Sequence, residues 1–263
     1  EAVTNSSTQM AVGMGSMGTF QFNQDGGASS NAIDDVLPKA YEETWDAISS
    51  NTSTANFHSF GAAVNKGSVS YKTPSFELPF GITASGAVDY DPNAGVEAPA
   101  PGGVGGDAAS GEAFVIKLAH ESGLTLGGGA MEVGGTDAGT GVKIATGYAL
   151  YSNGGVTIGY QEAYENAART TTASSTTTRG VDTESDGFAI AYTAGDLTFS
   201  YSKTNETSKA NGATAALEEE EFSAVQAAYN LGGMTIAASM YDADNLDGVA
   251  TKKYEETELS VSF

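Results

Sequence analysis

Residues 142–161 read Val142-Lys143-Ile144-Ala145-Thr146-Gly147-Tyr148-Ala149-Leu150-Tyr151-Ser152-Asn153-Gly154-Gly155-Val156-Thr157-Ile158-Gly159-Tyr160-Gln161. Val142, Ile144, Thr146, Tyr148 and Leu150 alternate with Lys143, Ala145 and Gly147. Val156, Ile158 and Tyr160 alternate in the same way with Thr157, Gly159 and Gln161. A period of two sends the two rows to opposite faces of a strand. Between the strands, Tyr151-Ser152-Asn153-Gly154 supplies the residue types of a tight turn. The stretch is an antiparallel hairpin with one apolar face and one face of small or polar residues.

The same device recurs outward in both directions. Phe80, Ile82, Ala84, Gly86, Val88 and Tyr90 form one row; Phe114, Ile116 and Leu118, then Leu197, Phe199 and Tyr201, and Met234, Ile236, Ala238 and Met240 form others. The facing rows are nearly all Gly, Ala, Ser and Thr, as a wet interior requires. Tyr71, Tyr90, Tyr148, Tyr160, Tyr192, Tyr229 and Phe263 fall at strand ends, where aromatic girdles of a membrane barrel lie. The connections decide between a barrel and a soluble sandwich. Tight turns at 120–123, 151–154, 193–196 and 230–233 alternate with long links near 90–110, 134–140, 164–185, 205–218 and 242–253. Short turns at one end and long loops at the other are the pattern of an outer-membrane barrel.

Composition excludes other classes. Eleven basic against 33 acidic residues give a net charge of −22, so no basic surface for nucleic acid exists. The chain has no cysteine, which removes disulfides, thiolate metal sites and cysteine nucleophiles together. No run of 18 apolar residues predicts a membrane-spanning helix. The two histidines, His58 and His120, stand in no ligand or triad spacing. Gly127-Gly128-Gly129 is followed by no Lys in phosphate-loop spacing. No enzyme chemistry is predicted, and residues 1–263 read as one barrel domain.

Five stretches carry a family resemblance. Gly15-Ser16-Met17-Gly18-Thr19-Phe20-Gln21-Phe22 and Ser70-Tyr71-Lys72-Thr73-Pro74 resemble a strand and a strand exit of alphaproteobacterial general porins. Tyr192-Thr193-Ala194-Gly195-Asp196-Leu197-Thr198 and Tyr229-Asn230-Leu231-Gly232-Gly233-Met234-Thr235 are similar to the recurrent hairpins of that group. The end, Glu258-Leu259-Ser260-Val261-Ser262-Phe263, looks like the insertion signal of such barrels, with Phe263 as its last residue.

The resemblance implies an all-β, antiparallel transmembrane barrel of 16 strands in the complete protein, a homotrimer in the outer membrane of a Gram-negative bacterium. It also implies a passive path for small hydrophilic solutes and ions. Counting back from Phe263, about 12–13 strands lie in this chain, and the count predicts an N-terminally incomplete barrel. A closed 12-stranded barrel starting at 17–24 is the rival count.

Under that register, residues 25–66 are the long loop that in the family folds inward and narrows the channel. Apolar residues at 33, 36, 37, 40, 41, 45 and 48 predict an amphipathic helix within it. Asp34, Asp35, Glu42, Glu43 and Asp46 are then the constriction acids. Parity places Lys72, Lys117 and Lys143 on the interior wall as their basic counterparts and sends Lys203 to the rim. Acid excess near the path predicts weak cation selectivity. The lipid band is predicted to include Phe114, Ile116, Leu118, Ile144, Tyr148, Ile158, Phe199, Ile236 and Val261.

Asp242, Asp244 and Asp247 are weak candidates for a Ca²⁺ site, in a spacing that is wrong for an EF-hand. No other cofactor is predicted. Glu218-Glu219-Glu220-Glu221 reads as an acidic external rim able to share divalent cations with lipopolysaccharide. Two rival readings remain in other classes: a barrel with a blocked lumen acting as adhesin or anchor, and a soluble β-sandwich binding module.

Overall fold

Alternation of this kind builds one antiparallel sheet. The computed structural model describes residues 8–25, 33, 36–44, 67–92, 110–133, 142–166, 181–210 and 217–263. Its strands are β1 (Thr8–Gly13), β2 (Thr19–Asp25), β3 (Ser68–Lys72), β4 (Phe76–Leu78), β5 (Ile82–Asp91), β6 (Gly111–His120) and β7 (Leu124–Val133). They continue as β8 (Val142–Asn153), β9 (Val156–Asn166), β10 (Val181–Ala194), β11 (Leu197–Ala210), β12 (Glu220–Asn230), β13 (Thr235–Asp244) and β14 (Tyr254–Ser262). Each pairs with the next in chain order, except that β3 pairs β5 and β4 lies off the path against β5. All 14 strands belong to this sheet, so the two-sheet sandwich is not the arrangement. β2 is flanked by β1 and β3, which leaves no edge for the rival closure of β2 on β14.

Short turns and long links alternate as the sequence predicts. One of the two-residue turns is Gly154-Gly155, with φ of 59° and 85° at successive residues. Only glycine takes that pair of left-handed conformations without strain, and it matches the twist of the flanking strands. Tyr151, Ser152 and Asn153 therefore still belong to β8, and the turn lies two residues later than its sequence suggests. β10 and β11 run on to 14 residues each, well past their apolar rows. Polar pairs carry the extension: Asn205 Nδ2 donates to Asp186 at 3.3 Å and Asn166 donates to Asp182.

The two faces differ in chemistry, and in the inverse sense to a soluble protein. One face buries Gln161, Gln226, Ser200, Ser202, Ser239 and Ser70. The other leaves Phe114, Ile116, Ile158, Phe199, Val225 and Leu259 exposed. No helix among the described residues is long and apolar enough to cross a membrane, which says nothing of crossing by strands.

Two residues of the predicted lipid band lie on the buried face. Ile144 pairs with Met131, and both are buried; Tyr148 pairs with Gly127 and Gln161 on that same side. β8 has apolar residues in both rows, so its own alternation does not reveal its orientation; the register with β7 and β9 sets it.

Candidate functional site: a strap across the sheet

Residues 36–44 cross the polar face of the sheet as a strap. Here the predicted helix does not form: 36–44 run as bends and turns, with only Ile33 in a 3₁₀ turn. Pro38 disfavours helix at Leu37 and lacks a backbone donor. The donors a helix would use point elsewhere. Val36 N–H donates to Gln161 Oε1 at 3.0 Å, Ala40 N–H to Ser200 Oγ at 2.8 Å and Tyr41 N–H to Gln226 Oε1 at 3.0 Å. The wall's side chains thus replace the intrahelical carbonyls, and the strap is shaped by its docking.

Apolar contacts fix its entry. Leu37 is buried in a cluster with Ala163 of β9 and Ala189 of β10. Beside it Pro38 lies against Gly159; a Cβ at 159 would stand 2.6 Å from Pro38 Cδ, 2.8 Å from Leu150 Cδ2 of β8 and 3.3 Å from Leu37 Cδ2. Glycine at 159 is what permits this approach. At the far end, Thr44 Oγ1 donates to Ser202 Oγ at 2.7 Å, both residues being buried.

Among the acids predicted for the constriction, Glu42 and Glu43 are half-buried on the strap, whereas Asp34, Asp35 and Asp46 lie outside the described residues. Glu43 is paired with Lys39 one helical turn earlier in sequence. Glu42 acts with a wall residue that sequence reasoning missed: Glu258 of β14. Tyr41 Oη donates to Glu258 Oε1 at 3.2 Å, and the Glu42 carboxylate meets the same hydroxyl. A hydrogen bond with Ser260 pulls the Tyr41 phenol down, but burial and the two carboxylates outweigh it and hold the group above its ordinary value. Its hydroxyl stays neutral between the two acids.

The remaining sequence candidates divide. Lys72 pairs across the ladder with Ala87, and Lys117 with Ser85, both on the strap face, and both lysines are exposed. Lys143 is on the opposite face, with Ala145 and Gly147, and pairs with Glu132 at 3.0 Å. Its assignment to the interior wall is corrected by the same register that turns Ile144 inward. Lys203 is on the outer face, 2.6 Å from Glu221. The run Glu218–Glu221 is split by strand alternation: Glu220 is buried on the strap face and Glu221 holds Lys203.

Asp244 is bound to Lys253 at 2.5 Å, Asp242 is exposed on β13, and the side chain of Asp247 lies outside the described residues. Among the described residues no three acidic, His or Cys side chains gather to hold a metal. Phe263 follows β14 and is 96% exposed. Gln161, Ser200, Ser202 and Gln226 escaped the sequence reading, although each lies on a row of small polar residues at period two; no local signal marks which of them meets the strap.

No family model matches the chain, and no curated relative matches it. Among solved structures it is similar to a porin, with a TM-score of 0.61 and 14% identity over 94% of this chain and 77% of that one. It is also similar to the outer-membrane expressed OmpT of Vibrio cholerae, with a TM-score of 0.52 and 12% identity over 97% of this chain and 78% of the other. The fold is therefore that of the antiparallel outer-membrane β-barrels.

Proposed function

We propose that the chain forms a passive, water-filled diffusion channel in a Gram-negative outer membrane, of the alphaproteobacterial general porin type. The observation that carries the reading is the strap: a segment of about nine residues held across the polar face of a porin-type sheet whose other face is apolar and exposed. Exposed apolar surface on that scale belongs against lipid or protein. The strap narrows the path, and Glu42 with Glu258 favours cations, opposed by Lys72 and Lys117 on other strands of the same face. Selectivity is accordingly weak. Small hydrophilic solutes and ions pass without energy coupling or reaction chemistry. The assembly is a homotrimer, and the acidic outer rim meets lipopolysaccharide.

The test is single-channel recording in a planar bilayer with detergent-extracted, unheated protein. Discrete, salt-dependent steps with a cation-biased reversal potential support the channel, and steps in threes support the trimer. One observation favours a second reading, a non-conducting anchor or adhesin: the strap-side residues of β10 to β13 are largely buried, with Ala189 and Phe222 at 0% exposure. Silence from protein that is membrane-extracted and heat-modifiable selects that reading.

A further inference from the structure

The geometry points to Gln226 as the residue that positions the strap and so sets the width of the passage. This rests on the channel reading. Gln226 sits on β12, 2% exposed, and its carboxamide makes every hydrogen bond it is capable of. Oε1 accepts from Tyr41 N–H at 3.0 Å and from Ser200 Oγ at 3.3 Å. Nε2 donates to the Glu42 carbonyl at 2.7 Å and to Tyr241 Oη at 3.3 Å. Accepting from the Tyr41 N–H and donating to the Glu42 C=O, the side chain clamps a bend, because an extended strand would turn those two groups to opposite sides. The strap is thereby paired to the wall without being a strand itself.

Three facts make Gln226 the controlling contact. It grips the backbone of two successive strap residues, Tyr41 and Glu42, by one acceptor and one donor bond. Those two residues carry the Tyr41 hydroxyl, which donates to Glu258, and the Glu42 carboxylate, which meets the same hydroxyl. Its network also reaches Ala40 through Ser200 and β13 through Tyr241, so loss of the amide loosens four points together. Leucine at 226 keeps the volume but offers neither donor nor acceptor. Asparagine keeps the amide but stops about 1.5 Å short, one methylene less of reach.

The experiment compares wild type with Gln226→Leu and Gln226→Asn by two readouts. The first is single-channel conductance with open-channel noise. The second is the rate at which a Thr44→Cys/Ser202→Cys pair, first reduced with dithiothreitol, is re-oxidised by added copper phenanthroline in each background; the chain has no other cysteine. Folded barrel is confirmed for each variant by heat-modifiability, and Gln226→Asn is the reserve should Gln226→Leu not assemble.

The expected result is a conductance raised on the order of 1.5- to 2-fold with greater noise, and cross-linking slowed on the order of tenfold, with the Asn variant intermediate. Unchanged conductance and unchanged cross-linking in both variants would overturn the assignment. If wild type itself is silent in bilayers, the channel reading fails, and the cross-linking rate alone then decides whether Gln226 positions the strap.

Discussion

The hydroxyl of Tyr41 lies 3.2 Å from Oε1 of Glu258, joining the middle of the strap to the last strand of the sheet. The strap is thus held at both edges of its crossing, by Gln161 on β9 and by Glu258 on β14. Tyr41→Phe removes that tie and Glu258→Gln removes its charge. The glutamine variant should lower the cation-to-anion permeability ratio on the order of twofold, read from reversal potentials in a salt gradient. The phenylalanine variant should leave the ratio nearly unchanged at neutral pH. Because the Tyr41 phenol is held above its ordinary value, its folded form favours the protonated hydroxyl. That contribution is present below the usual tyrosine value of about 10 and is lost as pH rises through the folded one. Wild type should therefore become noisier only in the strongly alkaline range, and Tyr41→Phe should lack that step.

Thr44 and Ser202 bring their hydroxyls to 2.7 Å. Cysteines at the two positions should oxidise spontaneously during export. A reductant-sensitive change in gel mobility of unheated protein checks this, and conductance should match wild type. Free thiols titrating in full would show that the strap is not seated there.

A side chain at 159 would collide with Pro38. Gly159→Val should unseat the strap while sparing the sheet, since the contact on β8 is the movable end of Leu150 and β9 gains a residue of high strand propensity. Amide exchange at Val36, Ala40 and Tyr41 should accelerate about 10- to 100-fold, corresponding to about 1–3 kcal/mol per lost buried hydrogen bond. Exchange within β9 should change little.

Ile116 and Ile144 are chemically alike and face opposite ways. Ile116 is 50% exposed on the outer face, whereas Ile144 is 7% exposed on the strap face. Ile116→Lys places a charge against lipid at a cost of about 2–4 kcal/mol near the bilayer midplane. It should impair assembly, measured as the heat-modifiable fraction. Ile144→Lys should assemble better than Ile116→Lys, because its side chain does not meet lipid.

Charge reversal separates the lysines in the same way. Lys117→Glu alters the strap face and should raise cation preference measurably. Lys143→Glu breaks an exposed pair with Glu132, of the kind that contributes about 0–1 kcal/mol, and should leave permeability ratios as they are.

These contrasts mark how far the sequence could be read. Strand existence was legible because rows such as Phe114/Ile116/Leu118 contrast sharply with Ala113/Val115/Lys117 in the context of regular turns. Orientation was legible only where one row was clearly apolar. On β8 both rows carry apolar side chains, and the answer lay in Met131 and Gln161 on neighbouring strands. The sequence places the upper parts of β10 and β11 in long links, because Asp182, Glu184, Asn205 and Thr207 alternate without hydrophobic contrast. In the strap, apolar spacing favours a helix, and Pro38 together with the wall's hydrogen-bond acceptors overrides it. The wall glutamines were invisible for a different reason. Nothing within a strand says which small polar residue a segment more than a hundred residues away will meet.

The length of β10 and β11 has a consequence of its own. At 14 residues against ten in β6 and β7, they stand about 13 Å taller along the strand direction, at about 3.3 Å per residue. That added stretch carries Asp182, Glu184, Asp186 and Asn205 where an apolar row would run, and the Asn205–Asp186 and Asn166–Asp182 hydrogen bonds tie it together. It is a hydrophilic crest, kept upright by its own ladder and side-chain amides and not by apolar packing.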